Sequence, residues 1–177
     1  MTSSMTADNY VNQESSRLSS DFTILRQSPI FSGIHHEVVK LLAYLSTRRS
    51  FQPGDYLIEQ GKTARQAFIL INGAVEITVH HRGREILLQQ LKGNSVFGEL
   101  ALLAQFEWFF NARAAGEAEV IMIDQTAYQK VIEKFPEQKD KLIERVIQVR
   151  VNRLESQTTF MLDQLLSEGC QPKKIII

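Results

Sequence analysis

The stretch of this chain best suited to chemistry is Phe97-Gly98-Glu99-Leu100-Ala101-Leu102-Leu103. Gly98 lets the backbone come close to a ligand, and the carboxylate of Glu99 follows beside backbone N–H groups. A sugar hydroxyl can donate to such a carboxylate while the N–H groups donate to phosphate oxygens, so the stretch suits a ribose phosphate. A bound phosphate normally also needs a cation. No Lys or Arg follows until Arg113, and the intervening residues include the aromatic run Trp108-Phe109-Phe110.

Other candidate chemistry is sparse. His80 and His81 are adjacent, and neighbouring residues on a strand point to opposite faces, so the pair cannot easily chelate one ion. Neither this pair nor His35-His36 has Cys or acidic residues that complete a ligand set, so we predict no metal site. We expect the Cys170 thiol to be inert. Because the sequence contains no nucleophile–base pair, Walker loop or metal signature, we expect a protein that is not an enzyme.

Composition bounds the class of protein. The chain has 177 residues, enough for one domain with appendages, and 44% of them are hydrophobic. Lys and Arg number 20, as do Asp and Glu, and this balance makes nucleic acid an unlikely partner. Arg145, Arg150 and Arg153 are interleaved with acidic residues, which predicts a solvated helix face. The single Cys and the absence of a long apolar segment predict a cytoplasmic protein without a membrane span.

Three segments differ in pattern. Residues 1–20 are polar and predict a flexible arm. Residues 21–124 predict a helix, capped by Ser32 and followed at its end by Arg48 and Arg49, and then an antiparallel sandwich, barrel or roll. Turn residues there separate short β-type runs, which lie at 56–58, 67–71, 75–79, 85–88 and 120–123.

Residues 125–177 predict a C-terminal helical segment and tail. Pro136 breaks the helical pattern, a wide apolar face continues to Leu166, and Gly169 and Pro172 end it. A helix with such a face needs cover. We therefore expect the roll, a second copy or another protein partner to contact residues 137–168.

The turns and motifs together resemble the cyclic-nucleotide-binding domain family. The resemblance rests on 53–55, 59–61, 67–73 and 97–102, and it extends over about residues 25–165. It implies an α+β fold: an antiparallel, jelly-roll-like β-roll with N-terminal helices and a long C-terminal helix. Around Arg153-Leu154 the sequence is similar to the dimerising helix of the catabolite activator protein branch, with no helix-turn-helix domain following within the chain.

The resemblance also implies a ligand, cAMP or cGMP, and the residues that would bind it. Gly98 and the N–H groups of Leu100, Ala101 and Leu102 would hold the cyclic phosphate, and Glu99 would bind the ribose 2′-hydroxyl. Gln157 and Thr158 lie near positions that reach the adenine base. The predicted site does not include these two residues and consists of Gly98, Glu99, Leu100, Ala101, Leu102, Trp108, Phe109 and Arg113.

The family's phosphate-binding Arg is missing from its usual position. Trp108 or Phe109 stands there, so we do not expect ordinary tight cAMP binding. The two aromatic residues could stack on a purine, contact a partner or fill the pocket. Arg113 could replace the missing Arg only if two compensating gaps interrupted the alignment.

Three hypotheses follow. The first is a non-enzymatic regulatory module that couples a weak or altered cyclic nucleotide to partner contacts through its C-terminal helix. The second is a degenerate binding domain that acts as a protein–protein scaffold or adaptor. The third is a transcription-related regulator that lacks its own DNA reader.

Overall fold

The computed structural model describes residues 4–167, with side-chain surroundings from residue 13 onward. The predictions about Cys170, Gly169 and Pro172 lie outside the described residues. The chain begins with helices α1 (Ser4–Gln27) and α2 (His36–Leu45). Its strands follow as β1 (Thr47–Phe51), β2 (Tyr56–Ile58), β3 (Gln66–Asn72), β4 (Ala74–His81), β5 (Arg84–Lys92), β6 (Val96–Phe97), β7 (Asn111–Ala114) and β8 (Ala118–Asp124). A 3-10 helix at Glu99–Leu102 lies between β6 and β7, and helices α3 (Gln125–Lys134) and α4 (Lys139–Ser167) end the described part.

The eight strands form two antiparallel four-stranded sheets. Their orders are β1-β8-β3-β6 and β2-β7-β4-β5. The predicted α+β fold, an antiparallel β-roll with N-terminal helices and a long C-terminal helix, is confirmed. All five β-type runs lie within strands, whereas β1, β6 and β7 contain none of them. Strand β1 is mostly polar and exposed, and β6 and β7 have only two and four residues.

Strand β3 separates two hydrophobic clusters. Ala67 and Ile69 face the first cluster, which lies between the helices and the first sheet. Phe68 and Leu70 face the second cluster, which fills the space between the two sheets. Because successive side chains point to opposite faces, a strand buried on both sides is continuously apolar. The first sheet is therefore packed between the helices on one side and the second sheet on the other.

The N-terminal helices differ from the sequence-based expectation in three ways. Helix α1 begins at Ser4, where a flexible arm was predicted, because its later residues Leu18 to Leu25 include apolar side chains that pack beside α2. Ser32 does not cap α2, which begins four residues later with no side-chain cap. Arg48 lies on β1 and not at a helix end. Its Nη2 is 2.9 Å from Oδ1 of the buried Asp21, which ties α1 to the first sheet.

The C-terminal part begins with a capped helix and continues into a long one. The carboxylate of Asp124 accepts a hydrogen bond from Thr126 N at 2.9 Å and so caps α3. Pro136 lies at the break between α3 and α4, as predicted. Only the first part of α4 is buried, at Leu142 and Val146, and its later apolar residues are exposed.

Candidate ligand site in the roll

Gly98 makes the turn between β6 and the 3-10 helix. Its φ is +73°, in the left-handed region that favours glycine. A Cβ at this position would lie 3.0 Å from Gln66 O and 3.0 Å from Cη2 of Trp108. The turn is therefore so tightly packed that a side chain here would displace backbone or an aromatic ring.

The Trp108 ring covers Gly98. Trp108 is only 6% exposed, and its ring packs edge-on against Phe106 with centroids 5.1 Å apart. Its backbone is paired with the loop between β2 and β3: Trp108 N donates to Lys62 O at 2.8 Å, and Gly61 N donates to Trp108 O at 2.7 Å. Both the ring and the backbone therefore hold Trp108 over the turn.

Glu99 is buried and paired with α4. It is 2% exposed, and Nη1 of Arg153 lies 3.2 Å from its Oε2 and 3.4 Å from its Oε1. The same guanidinium donates to Val96 O. A carboxylate this deeply buried needs a partner, and here the partner comes from α4 rather than from the roll. We call this contact, Arg153 on Glu99 and Val96, the α4 latch.

Little space remains beside the turn. The cavity there has a volume of about 30 Å³. Sites for drug-sized ligands occupy roughly 300–1,000 Å³, and one water needs about 10–15 Å³. Its lining consists of Gly98, Glu99, Leu100, Phe106, Trp108, Phe109, Phe110, Arg150 and Arg153. In this conformation the volume beside the turn is therefore well below that of a ligand site.

The predicted site residues separate into two groups. Gly98, Glu99, Leu100, Trp108 and Phe109 line the cavity together, and Phe109 is 57% exposed at its rim. Ala101 and Leu102 follow on the 3-10 helix with their side chains buried in the two hydrophobic clusters, outside the lining.

Arg113 lies apart from this cavity. It is on β7, where its Nη2 is 3.2 Å from Oε2 of Glu76 on β4. Its hydrogen bond to Glu76 and the nearby Glu85 raise the pKa of its guanidinium. Gln157 and Thr158 are exposed on α4 and do not line the cavity either.

Sequence reasoning missed the role of Arg153. It placed this residue on a solvated helix face, but the guanidinium contacts a carboxylate 54 residues earlier in the chain. Charge interleaving along α4 carries no information about which side of the helix meets the roll. The register of the helix against the 3-10 turn decides it, and that register comes from packing.

One histidine of each pair lies against a polar neighbour. His36 Nε2 is 2.9 Å from Oε1 of Glu37, and His80 Nδ1 is 3.2 Å from Nδ2 of Asn111. Among residues 4–167 there is no cluster of three or more His, Cys, Asp or Glu that could hold an ion. Within the same range, no helix is both long and apolar enough to cross a membrane.

Comparisons with known proteins identify the family of the fold. Residues 48–135 match the model of the cyclic nucleotide-binding domain. The potassium channel SKOR of Arabidopsis thaliana is 23% identical over 150 residues, which is 81% of this chain but 18% of the channel. The chain thus spans less than a fifth of that relative's length.

Two solved structures are similar. A cyclic nucleotide-binding-like protein from Brucella abortus has 26% identity and a TM-score of 0.59, covering 64% of this chain and 98% of that one. The catabolite activator protein of Thermus thermophilus has 26% identity and a TM-score of 0.63, covering 78% and 63%. The chain belongs to the cyclic nucleotide-binding domain family.

Proposed function

We propose that this domain is a non-enzymatic regulatory module whose ligand cradle is closed by its own side chains and whose output is the position of α4. One observation carries the proposal: Arg153 of α4 is bound to Glu99 while Trp108 covers Gly98. The carboxylate that a ribose hydroxyl would contact is therefore paired within the chain, and the glycine turn beside it is covered. Such a module works as an adaptor that holds α4 in place for a protein partner.

Cyclic nucleotides would bind weakly to this cradle. A bidentate Arg–phosphate pair contributes about 1.5–3 kcal/mol, or one to two decades of affinity, and Trp108 cannot supply it. A nucleotide would also have to break the α4 latch and displace the side chain of Trp108, a residue that is only 6% exposed. Both costs oppose binding of cAMP or cGMP.

The exposed face of α4 is the surface for a partner. Ile147, Val151, Leu154 and Met161 lie along the helix at spacings of four, three and seven residues, and each is about half exposed or more. Such spacing places the side chains in one stripe that fits an apolar helix. We infer that this stripe docks on a helix of a partner protein, with pairing of two copies as the other outcome.

Calorimetric titration with cAMP and cGMP tests the closed cradle. We expect no heat from the unaltered chain at ligand concentrations up to about 100 μM, a range that covers ordinary tight binding. Trp108→Arg supplies the cation and removes the ring, and we expect it to gain measurable binding. Phe109→Arg is the matched control, because it adds the same charge at an exposed neighbour without opening the space.

Tight binding by the unaltered chain would overturn the proposal. If Trp108→Arg fails to fold, Trp108→Phe still enlarges the cavity and reports on closure through the same titration. Gain of binding by Phe109→Arg alone would mean that the missing cation, and not the closed space, limits affinity.

A ligand-dependent sensor is the second candidate function. The α4 latch favours it: a ribose hydroxyl that hydrogen-bonds to Glu99 in place of Arg153 would release α4 from the roll. Such a ligand must bind the released state more tightly than the latched one. Hydrogen exchange separates the two candidates: faster exchange in α4 on adding millimolar cAMP or cGMP supports the sensor, and unchanged exchange supports the adaptor.

A further inference from the structure

Strand β5 is an apolar strand at the edge of its sheet. It ends the order β2-β7-β4-β5, and among the described residues it pairs with β4 alone. Ile86, Leu87 and Leu88 on it are 43%, 59% and 54% exposed. Natural proteins usually protect such an edge with charges, proline or a covering element, because its free N–H and C=O groups pair readily with another strand.

The hairpin decides which backbone groups of β5 face the free edge. Arg82 and Gly83 form a two-residue turn with φ values of 51° and 76°, so His81 and Arg84 make the hydrogen-bonded pair that closes it. Pairs that exchange hydrogen bonds then alternate along the strands. On β4, the backbone of His80 indeed points away from β5, because its N–H donates to Oε1 of Gln60 at 2.8 Å.

A bulge makes the free edge symmetric. The register shifts between Ile77 and Thr78, which leaves Leu88 as the extra residue of β5. Following the alternation through the bulge, the backbone groups that face the free edge are those of Glu85, Leu87, Gln90 and Lys92. The Lys92 carbonyl also accepts a hydrogen bond from Oγ of Ser95, which leaves it one further lone pair for a partner strand. These four positions are symmetric about the bond between residues 88 and 89.

We propose that two copies of this chain pair through β5, antiparallel, about a two-fold axis at that bond. Glu85 of each copy then lies opposite Lys92 of the other, and Leu87 lies opposite Gln90. The register brings opposite charges together twice, while Oε1 of each Glu85 also accepts a hydrogen bond from the hydroxyl of Thr78 in its own chain at 2.9 Å. It places each of the four edge-facing residues opposite another edge-facing residue. It also places a strand beside Ile86 and Leu88, which are otherwise exposed.

This pairing extends beyond the proposed function and uses a different surface from α4. Stable interfaces bury about 1,200–2,000 Å² in total, and a single pair of edge strands buries less. We therefore expect an association in the micromolar range. The oligomeric state then depends on protein concentration.

Sedimentation velocity of the full chain from about 1 to 300 μM, bracketing a micromolar Kd, tests the association. We expect a monomer–dimer equilibrium. Leu87→Lys, which places a charge at the centre of the edge, should raise the Kd at least about tenfold. Tyr44→Lys is the matched control, since Tyr44 is a 70% exposed apolar residue on α2, and it should leave the Kd unchanged.

A cross-link tests the register. The chain has one native cysteine, so Cys170→Ser provides a free background. A chain with Leu87→Cys mixed with a chain with Gln90→Cys should form a mixed disulfide, because residues opposite each other in antiparallel strands have Cα atoms about 4.5–5.5 Å apart. Leu87→Cys mixed with Arg84→Cys, which are out of register, should not.

The proposal is overturned by a monomer at all concentrations, or by association that survives Leu87→Lys. Association that is lost with Leu154→Glu on α4 but kept with Leu87→Lys also overturns it and assigns self-association to α4. Equal yields from the in-register and out-of-register pairs reject the two-fold alignment.

Discussion

The two residues of the α4 latch should differ in how much stability is lost when each is replaced. Arg153→Gln removes the guanidinium and leaves the Glu99 carboxylate buried at 2% exposure without its ion partner. Glu99→Gln removes the carboxylate instead and leaves a guanidinium whose side chain is 23% exposed and can turn toward water. The first change should therefore cost more stability than the second.

The magnitude follows from the burial of the two groups. Removing one partner of a fully buried ion pair costs about 3–5 kcal/mol, and the partial exposure of Arg153 reduces this to about 2–3 kcal/mol for Arg153→Gln. For Glu99→Gln we expect about 1–2 kcal/mol, because the amide can still accept a hydrogen bond from Arg153. Arg150→Gln is the matched control: Arg150 lines the same cavity, carries the same charge and should cost less than about 0.5 kcal/mol.

Urea unfolding at neutral pH measures these differences, and hydrogen exchange locates them. Arg153→Gln should speed exchange in α4 from about Val149 onward, whereas Arg150→Gln should not. If Arg153→Gln costs no more than Arg150→Gln, or if the double variant with Glu99→Gln shows no coupling, the latch does not hold α4. The regulatory role proposed for α4 would then lose its structural basis.

Three further predictions concern the framework. Gly73→Ala should lower the free energy of unfolding by at least about 3 kcal/mol, since the new Cβ would lie 2.1 Å from Glu117 O. Gly54→Ala is the control, because nothing lies within 4 Å of its Cβ, and it should cost about 1 kcal/mol. Urea unfolding of the two variants measures the difference. Tyr128→Phe should leave thermal stability unchanged or raised, because the Tyr128 hydroxyl is buried without a hydrogen-bond partner, and calorimetry that shows a loss above about 1 kcal/mol would contradict this. Burial raises the pKa of the Asp21 carboxyl above its ordinary value in the folded state. The folded protein therefore binds this proton more tightly than the unfolded chain, and the free energy of unfolding should fall as pH rises from the unfolded pKa to the folded pKa. Asp21→Asn should flatten that part of the pH profile, measured by urea unfolding.

The fold was accessible from the sequence because local signals agree with one another. Alternation at 75–79 predicts a half-exposed strand, and the structure places β4 there. Turn residues such as Asn72-Gly73 and Arg82-Gly83 occur where the chain reverses, and the conformations of Gly73 and Gly83 have positive φ. Errors arose where structure is set by tertiary contacts, as at β1, whose polar residues form a strand only because β8 pairs with it.

The site was only partly accessible for the same reason. Its motif is local, so Gly98 and Glu99 could be found from spacing alone. The closing groups come from elsewhere in the chain, and Arg153 reaches Glu99 only after α4 has packed against the 3-10 turn. Phe110 belongs to the aromatic run and Phe106 lies two residues before it, so both could be expected near the site. Nothing in the local sequence indicates that Trp108 is buried while Phe109 is 57% exposed.

The closed cradle changes what its motif implies. Gly98 is required by the packing of Trp108 and Gln66 O around it, and the Glu99 carboxylate is satisfied by Arg153. Each residue therefore contributes to the folded state without any ligand. It follows that a glycine and a glutamate at these positions do not by themselves indicate nucleotide binding. We propose that the neighbouring position decides binding, because an arginine there would supply charge to a phosphate while Trp108 supplies only volume.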